Sequence, residues 1–396
     1  MTQNQSIESL LPELLEWRHY LHSIPETAYE EHKTAEFIDA KLKSFGIKTV
    51  TGFAKTGVIG ILKKGDSSIE RSVAIRADMD ALNITEENSF AWCSTHSGKM
   101  HACGHDGHMA MMLGAAKYLS ESGTFNGTVY FIFQPAEENE GGGQLMVEEG
   151  LFERFPVQSV YGMHNFPILP EGQFAVCKGP MMAAYDIFDI YLTGVGGHAA
   201  SPHLVKDPII AATAIIQQLQ TIISRNVKPS HPAVLSITGI EAGTAYNIIP
   251  SKTRIYGTTR HFDKSAQEVI QSRMEKIVRS VCETFEIEGE LDYQKRYPAV
   301  INTDKETDFA VKVASELVGP EKVDPEFTPF MGSEDFAFML EKVPGTYIGL
   351  GSQKGPDTAN LHQSKYDFND DILTLGVNFW VNLVESLLNK KEEEQE

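Results

Sequence analysis

A dense run of potential metal ligands lies in an eight-residue stretch of the chain. It holds His101, Cys103, His105, Asp106 and His108, and the chain has four cysteines in all. More donors follow far along the sequence: Glu137, Glu138, His164 and His362. Thiolate sulfur, imidazole nitrogen and carboxylate oxygen form a mixed set that suits Zn²⁺ or a similar divalent cation. A helix start whose histidines only cap or hydrogen-bond is the simpler alternative, but it leaves the distant donors unexplained.

Five of these donors suit two cations better than one. Cys103 and His105 are two residues apart and can point into one cleft if that stretch is extended, and Glu138, His164 and His362 complete the set. Five ligands exceed the four of a structural zinc site, but they suit two ions about 3.5–4 Å apart that share a bridging group and a water. The sequence predicts two divalent ions per subunit, Zn²⁺ or Mn²⁺, with Co²⁺ and Ni²⁺ as alternatives because a thiolate does not select the ion alone.

The adjacent Glu137 is the candidate general base. Two neighbouring carboxylates diverge, so one can bind metal while the other stands beside the activated water, takes its proton and passes it to a leaving amine. A solvated acidic loop is the local alternative. Two wider alternatives are a non-catalytic metal-binding or sensor protein and a Cys–His enzyme in which Cys103 is the nucleophile.

The predicted elements place these donors at one edge of a sheet. Amphipathic helices open the chain, and the second of them ends at Gly46, a predicted left-handed cap. Strands then alternate with helices, which implies right-handed crossovers and a largely parallel sheet; the strands are predicted at Ser72–Ile75, Thr128–Phe133 and Ser159–Gly162. In such sheets ligands bind beyond the carboxyl ends of the strands. Glu137, Glu138 and His164 follow the ends of these predicted strands.

A different order of elements occupies residues 183–295. The order is strand, helix, two strands, helix and strand, which is the βαββαβ arrangement of ferredoxin-like folds. Later helices are expected at Thr307–Val318, Glu334–Val343 and Asp371–Leu388. The predicted fold is therefore α/β: a catalytic metal-binding domain of residues 1–182 and 296–396, with a largely parallel sheet, is interrupted by a smaller ferredoxin-like domain.

The composition argues against some classes of partner and indicates a cellular compartment. The 396 residues include 54 acidic and 34 basic side chains, for a net charge of -20. Repulsion from phosphate argues against nucleic acid or an anionic membrane as a partner. The cysteines form no CxxC pair, and the first 15 residues lack the basic start and apolar run of a signal peptide, so we expect a reduced, cytoplasmic setting.

Six motifs occur in order along nearly the whole chain. They are Arg76–Leu82, Met100–His108, Gln134–Glu138, Gly194–Pro202, Met331–Phe336 and Leu361–His362. Together they resemble the metal-dependent aminoacylase/carboxypeptidase family, in its branch of hippurate hydrolases, auxin-amino acid conjugate hydrolases and N-acetyl-diaminopimelate deacetylases. The resemblance implies a two-metal catalytic domain interrupted by a lid domain that also dimerises, and hence a homodimer or larger homo-oligomer.

The resemblance also assigns roles in the metal domain. It implies that Glu137 is the general base and then the acid. It also implies that Asp80 does not bind metal itself but orients the residues that do. Relatives outside this branch have a histidine ligand where this chain has Asp78, so Asp78 is not counted as a ligand. The metal ligands that the resemblance implies are Cys103, His105, Glu138, His164 and His362.

Three residues of the inserted domain match functional positions of the family. The resemblance implies that His198 reaches an active site, that of the partner subunit, and stabilises the oxyanion of the tetrahedral intermediate. Asn247 and Arg260 match substrate-binding positions. The guanidinium of Arg260 has the geometry to bind a substrate carboxylate through two parallel hydrogen bonds. A strand-edge ion pair is the alternative for Arg260.

The resulting hypothesis is an amidohydrolase that cleaves the amide bond of small N-acyl amino acids into a carboxylic acid and an amino acid. A dipeptidase or carboxypeptidase with the same two-metal site is the alternative, because a peptide bond presents the same reacting atoms. The sequence leaves open the acyl group, the amino acid and the roles of Asp78, Glu334 and Asp335.

Overall fold

The computed structural model describes residues 6–65, 68–138 and 140–389. The chain forms two compact units. The first comprises Met1–Met181, Val300–Thr328 and Asp335–Glu396, and the second comprises Met182–Ala299 and Pro329–Glu334. That the second unit acts as a lid and a dimerisation domain stays a prediction.

The elements follow in chain order. Up to residue 182 they are α1 (Leu11–Ser23), α2 (His32–Ser44), β1 (Lys48–Phe53), β2 (Gly57–Lys64), β3 (Ser72–Asp78), α3 (His105–Glu121), β4 (Gly127–Gln134), α4 (Gly142–Glu148), α5 (Leu151–Arg154), β5 (Ser159–Pro170), β6 (Phe174–Ala175) and β7 (Gly179–Met182). Next come β8 (Ala184–Thr193), β9 (Gly197–His198), α6 (Pro208–Arg225), β10 (Ala233–Ala242), β11 (Ile248–Ile249), β12 (Lys252–His261), α7 (Lys264–Phe285) and β13 (Glu288–Tyr297). The last are β14 (Val300–Asn302), α8 (Asp304–Val318), β15 (Val323–Asp324), α9 (Ala337–Leu340), β16 (Gly345–Gln353) and α10 (Leu373–Leu388).

An eight-stranded sheet forms the centre of the first unit. Its strand order is β1-β2-β4-β3-β5-β16-β6-β15. The four central strands β4, β3, β5 and β16 run parallel, and they are buried along almost their whole length, as expected of a sheet covered on both faces. Because their carboxyl ends share one edge, side chains at those ends come close together. The predicted α/β fold with a largely parallel sheet is confirmed.

One prediction about this sheet is wrong, and two of its strands were not predicted. The unpredicted strands are β1 and β2, which form an antiparallel hairpin, and β2 also pairs antiparallel with β4. The strand predicted to end before His164 continues to Pro170, because β16 pairs with it beyond that point, Gly349 opposite His164. The register still places His164 at the carboxyl end of β3. Gly162 pairs with Arg76 in the parallel pair of β5 and β3, so His164, two residues later, lies level with Asp78, the last residue of β3.

Local signals set the ends of several helices. Gly46 follows α2 with a φ of +76°, and the amide of Ile47 donates to the carbonyl of Leu42 at 3.0 Å, so the predicted left-handed cap is confirmed. The helix predicted over Glu334–Val343 is wrong, because the helix is limited to α9. Asp335 is instead held by groups outside that segment: the side chains of Arg76 and Gln134 and the amide of Gly143 donate to it.

A four-stranded antiparallel sheet forms the second unit, in the order β10-β12-β8-β13. With its connections this is the predicted βαββαβ arrangement. Helices α6 and α7 pack together and cover one face, with Ile215, Leu219, Ile270 and Met274 fully buried. Asp207, which precedes Pro208 at the first position of α6, caps that helix by accepting from the amide of Ile209 at 2.8 Å.

One helical segment of the described chain, Asp370–Leu388, has the length and hydropathy of a membrane span. More than half of it is buried inside the first unit, where α10 packs against α3 and α8. A core helix of a globular domain has the same properties.

Candidate metal centre

The five predicted ligands come together at the carboxyl edge of the central strands. Ligand atoms of Cys103, Glu138 and His362 lie within 4.8 Å of one another, and so do those of Cys103, His105 and His164. The Sγ of Cys103 is 3.4 Å from the Nε2 of His164, and the Nε2 of His362 is 3.1 Å from the Oε1 of Glu138. The chain thus gathers sulfur, nitrogen and oxygen donors from four distant segments into one cluster, which we call the donor cluster.

A left-handed glycine lets Cys103 and His105 share the donor cluster. Gly104 has a φ of +91° and immediately precedes α3. A Cβ at this position would lie 2.4 Å from the Oδ1 of Asn165 and 2.8 Å from the hydroxyl of Tyr366. Only glycine combines this backbone conformation with so close an approach. The expected extended stretch is therefore wrong, because the turn at Gly104 and not an extended chain brings the two side chains into one cleft.

Backbone carbonyls fix two of the imidazoles. The Nδ1 of His105 is 2.8 Å from the carbonyl oxygen of Asp80, and the Nδ1 of His164 is 2.8 Å from that of Asn165. When Nδ1 donates to a carbonyl, Nε2 carries the lone pair that binds a metal. Both Nε2 atoms belong to the donor cluster, so these rings are held in the orientation that metal ligation needs.

The charge around the donor cluster favours cations. Burial opposes the charged form of His105, but the carboxylates of Asp78 and Asp80 outweigh it and raise the pKa of His105 to about 10. Burial, together with the charges of Glu138 and Glu137, raises the pKa of the Cys103 thiol well above its usual range. A bound dication reverses both effects, because it stabilises the thiolate and competes with the proton for imidazole.

The donor cluster also fits metal ions by its hydrogen bonding. Among the described residues, the Nε2 of His105 is buried and has no hydrogen-bond partner. A buried polar atom without a partner is costly, and a coordinated cation removes that cost. Burial and the neighbouring His108 also hold the pKa of His164 well below its usual range, so this imidazole is neutral and able to ligate.

Asp78 and Asp80 adjoin the donor cluster and contact different residues around it. Asp80 accepts from the amide of Glu138 at 2.9 Å, and its carbonyl oxygen faces His105, so it touches two ligand-bearing segments. Asp78 is fully buried; one of its oxygens accepts from the Nη1 of Arg76 at 2.7 Å and the other lies 2.6 Å from the Nδ1 of His108. Both oxygens of Asp78 thus have protein partners, and one of them also lies within 4.8 Å of ring nitrogens of His105 and His108, so that Asp78 is not a ligand stays a prediction.

A buried polar network around Arg76, near the donor cluster, was not predicted from the sequence. Arg76 donates to Gln134 at 2.8 Å and to Asp335 at 3.1 Å, and it is 1% exposed. The available signal was an arginine inside an otherwise apolar strand, since an unpaired charge is too costly to bury there. Asp335, which the sequence left without a role, is one of the carboxylates that compensate this charge.

Two of the second-unit candidates are neighbours. His198 on β9 pairs with Ile248 on β11, and the carbonyl of Asn247 accepts from the amide of Ala199 at 3.0 Å. The imidazole of His198 is exposed, and its Nδ1 accepts from the amide of Ala200 at 3.1 Å. His198 and Asn247 are therefore presented together at one surface of the second unit.

Arg260 lies elsewhere in the second unit. Its Nη1 donates to the Oγ of Ser333 at 2.9 Å, and its guanidinium lies 4.3 Å from the ring centre of Tyr185. Within the described residues it forms no ion pair with a carboxylate, which argues against the strand-edge ion pair as the reason for this arginine. Burial lowers the pKa of Arg260, so a carboxylate ligand would find a partly desolvated cation there.

The chain is similar to known hydrolases over almost its full length. Residues 74–386 match the sequence profile described as Peptidase family M20/M25/M40. Over 382 residues the chain is 40% identical to the hippurate hydrolase of Campylobacter jejuni, which covers 95% of this chain and 98% of that protein. It is 36% identical to thermostable carboxypeptidase 1 of Saccharolobus solfataricus, with 92% of each chain covered. The crystal structure of the Bacillus subtilis YXEP protein, a dinuclear metal binding peptidase from M20 family, has a TM-score of 0.83 and 32% identity, and the match covers 97% of this chain and 100% of that one.

Proposed function

Because the chain belongs to Peptidase family M20/M25/M40, which confirms the resemblance seen in its motifs, we propose that it is a metal-dependent amidohydrolase of small N-acyl amino acids. The products are a carboxylic acid and an amino acid. The observation that carries this proposal is the donor cluster, in which five ligand side chains from distant segments surround one space beside Glu137. The near full-length similarity to a hippurate hydrolase supports the substrate class.

Cys103, His105, Glu138, His164 and His362 are the proposed ligands of two divalent cations, Zn²⁺ or Mn²⁺. When bound, such ions lower the pKa of a water molecule and polarise the acyl carbonyl. The sulfur and nitrogen donors support Zn²⁺ in particular, because Mg²⁺ and Ca²⁺ prefer oxygen ligands alone.

Glu137 is the proposed proton carrier. One of its carboxylate oxygens lies within 4.8 Å of a ring nitrogen of His105 and of a carboxylate oxygen of Glu138, so Glu137 borders the donor cluster, and it is 7% exposed. The carboxylate takes a proton from the attacking water as the new C–O bond forms, and returns it to the amide nitrogen as the C–N bond breaks. One residue thus serves as base and then as acid, and the proton balance closes without another group.

The second unit supplies the remaining proposed contacts. His198 donates to the oxyanion, a contact worth about 10²–10³ in turnover when it is made in the transition state. Arg260, whose guanidinium has the matching fork, binds the carboxylate of the amino acid, and Asn247 is the second candidate for that contact. The exposed imidazole of His198 and the absence of a carboxylate partner for Arg260 among the described residues support these roles.

A dipeptidase or carboxypeptidase is the second candidate. The similarity to a thermostable carboxypeptidase over 92% of each chain favours it specifically. The proposed ligands and Glu137 act on the reacting amide and not on the flanking groups, so both substrates use the same chemistry. A Cys103 nucleophile is a weaker candidate, because a buried thiol with a raised pKa is a poor source of thiolate.

One assay panel tests the proposal. The metal-loaded protein should hydrolyse hippurate or N-acetyl amino acids faster than unblocked dipeptides, and a chelator should abolish the activity until Zn²⁺ or Mn²⁺ is restored. Faster cleavage of dipeptides would favour the peptidase. Activity that survives complete removal of metal would favour a thiol mechanism, and a metal-loaded protein inert toward every amide would refute the proposed function.

We also propose that the protein works as a homodimer in the cytoplasm. The family resemblance supports dimerisation through the second unit. The four cysteines, all of them unpaired in the structure, support a reducing compartment. Sedimentation at several protein concentrations tests the oligomeric state.

A further inference from the structure

Glu31 is a buried carboxylate that neither the sequence motifs nor the proposed mechanism uses. It lies at the start of α2, and its side chain does not cap that helix. It is fully buried, although carboxylates rarely are unless they are paired. Burial, with the negative charge of Asp80, raises the pKa of Glu31 to about 7. A group kept at this cost has a structural or functional reason, and its two hydrogen bonds indicate which.

Two hydrogen bonds reach the Glu31 carboxylate from other segments of the described chain. Its Oε1 accepts from the amide of Ala136 at 2.9 Å, and its Oε2 accepts from the hydroxyl of Thr56 at 2.7 Å. Ala136 directly precedes Glu137, whereas Thr56 lies just before β2 and does not touch the proposed catalytic groups. The two hydrogen bonds can therefore be tested separately.

The backbone of Ala136 is strained in a way that Glu31 opposes. Its φ is +55°, in the left-handed region that disfavours any residue with a Cβ. Strained positions persist when the surroundings hold them, and they concentrate at functional sites. The amide of Ala136 donates to Glu31, and its carbonyl accepts from the amide of Gly142 at 2.9 Å, so the strained peptide is held on both sides.

The main chain around Glu137 is thus tied at both neighbouring amides. The amide before it, of Ala136, donates to Glu31, and the amide after it, of Glu138, donates to Asp80 at 2.9 Å. The two ties act on different residues: Asp80 holds a proposed metal ligand, whereas Glu31 holds the residue that directly precedes the proposed base. This difference gives Glu31 a consequence separate from metal binding.

We propose that Glu31 is a positioning residue for the general base: by accepting from the Ala136 amide it keeps that residue left-handed and aims the Glu137 carboxylate at the donor cluster. This inference rests on the proposed role of Glu137. It assigns no direct contact between Glu31 and the substrate. It predicts that loss of the Ala136 hydrogen bond slows the chemical step and leaves metal and substrate binding intact.

Kinetics of Glu31→Ala test the inference. We expect kcat to fall about 10- to 100-fold, since small displacements of a reacting group have effects of this size. KM and the bound metal per chain should stay within twofold of the wild type. Glu31→Gln should recover kcat to within about threefold, because its amide oxygen can still accept from Ala136 while its NH₂ group donates to Thr56. A loss of metal proportional to the loss of activity, or no recovery in Glu31→Gln, would overturn the inference.

Thr56→Val is the matched control, because it removes the hydrogen bond to the other oxygen of the same carboxylate. Its kcat should stay within about threefold of the wild type. A loss as large as that of Glu31→Ala would mean that any disturbance of this buried carboxylate slows the enzyme, and it would contradict a path through Ala136.

A crystal structure of Glu31→Ala separates this inference from the proposed function. The φ of Ala136 should leave the left-handed region and the Glu137 carboxylate should move away from the donor cluster. This readout does not depend on any substrate. An inert wild-type enzyme would refute the function alone, whereas an unchanged Ala136 and Glu137 in the variant would refute the positioning role alone.

Discussion

Individual side chains of the donor cluster are poised for cations by the protein around them. Neutral His164 and the ring of His105, each with Nδ1 facing a carbonyl, present Nε2 to the same space. The Cys103 thiol keeps its proton in the absence of a cation, because burial and then the nearby carboxylates raise its pKa. Metal binding should therefore release a proton from Cys103, and affinity should fall as the pH is lowered.

Replacement of Glu137 by glutamine tests the proton carrier. The amide has the same shape but cannot accept the proton of the attacking water, so kcat should fall about 10²- to 10⁴-fold. Bound metal, measured by elemental analysis, should stay as in the wild type. Glu140→Gln is the matched control, because this exposed carboxylate lies in the same loop, and its kcat should change less than twofold. A Glu137→Gln enzyme that keeps most of its activity would remove Glu137 from the mechanism.

The residue types were enough to predict the donor cluster from the sequence, but they did not indicate which other side chains hold it in place. Cysteine, histidine and glutamate side chains are recognisable in sequence because few other roles use that mixture. Glu31 carried no such signal, since an isolated carboxylate in a strongly acidic chain is usually solvated. Asp335 lies in one of the six motifs, but the sequence assigned it no role. Their burial follows from which strands lie side by side, and that information is spread over the whole chain.

At the scale of elements, the turn into α3 decides whether two ligands share one space. Gly104 occupies a left-handed conformation and its Cα faces Asn165 and Tyr366 at close range. The sequence supplied the glycine and the helix after it. It did not supply the side chains that crowd the glycine, because they come from β5 and from the segment after residue 362.

Alanine at Gly104 should disrupt metal binding. The new Cβ would meet the Oδ1 of Asn165 at 2.4 Å, so the turn must shift, and Cys103 and His105 shift with it. We expect at least a tenfold loss of metal affinity, measured by competition with a chromogenic chelator. Gly98→Ala is the control: that glycine also has a positive φ, +76°, but a Cβ there would meet nothing within 4 Å. Equal losses in both variants would assign the effect to backbone conformation and contradict the crowding argument.

The sheet and helix of the second unit are joined by a buried carboxylate on β8. Asp186 is fully buried, and one of its oxygens accepts from Tyr293 at 2.7 Å and from Gln267 at 2.8 Å, and lies 3.1 Å from the Nε2 of His261. Burial alone would raise its pKa, but these donors outweigh burial and lower it below 3.8. The ionised form is therefore the one that stabilises the fold.

This arrangement predicts a pH-dependent loss of stability in Asp186→Asn. The stabilisation is complete above the unfolded pKa of 3.8 and disappears as the pH falls through the lower folded pKa. The variant should be about 1.5–3 kcal/mol less stable at pH 7, and the difference should shrink below pH 4. Denaturant unfolding at several pH values measures it. Asp189→Asn is the control, since its ion pair with Arg254 on the other face is partly exposed and worth about 0–1 kcal/mol. A difference that stays constant down to pH 3 would contradict the ionised role.

For the molecule as a whole, every proposed metal ligand belongs to the first unit. The second unit contributes only proposed substrate and oxyanion contacts. The alternation of elements was enough to predict this division into two sheets, because each sheet type leaves its own order of strands and helices. The β1–β2 hairpin was missed for two reasons. The edge strand β1 lacks the apolar run that marks a buried strand. The inner strand β2 has such a run, at residues 58–62, and it was overlooked.

Metal should protect one unit and leave the other unchanged. A ligand that binds only the folded state stabilises it by about 2.7 kcal/mol at a hundredfold excess over its Kd. Hydrogen exchange read by mass spectrometry should therefore slow on adding Zn²⁺ or Mn²⁺ in the segments around residues 100–108, 134–138, 162–166 and 360–364. Peptides of β8, β10, β12 and α7 should exchange at the same rate. Slower exchange throughout both units, or none anywhere, would contradict a metal centre confined to the first unit.

The position of β16 has a consequence for synthesis. This strand lies between β5 and β6, yet it begins 175 residues after the end of β5 and 170 after the end of β6, and the segment that carries His362 follows it. A growing polypeptide on the ribosome can complete the second unit while the large sheet still lacks an inner member. The hydrolase therefore cannot assemble the proposed donor cluster before β16 and the segment with His362 have been made, and a chain terminated before residue 362 should be without activity however well its finished part is folded.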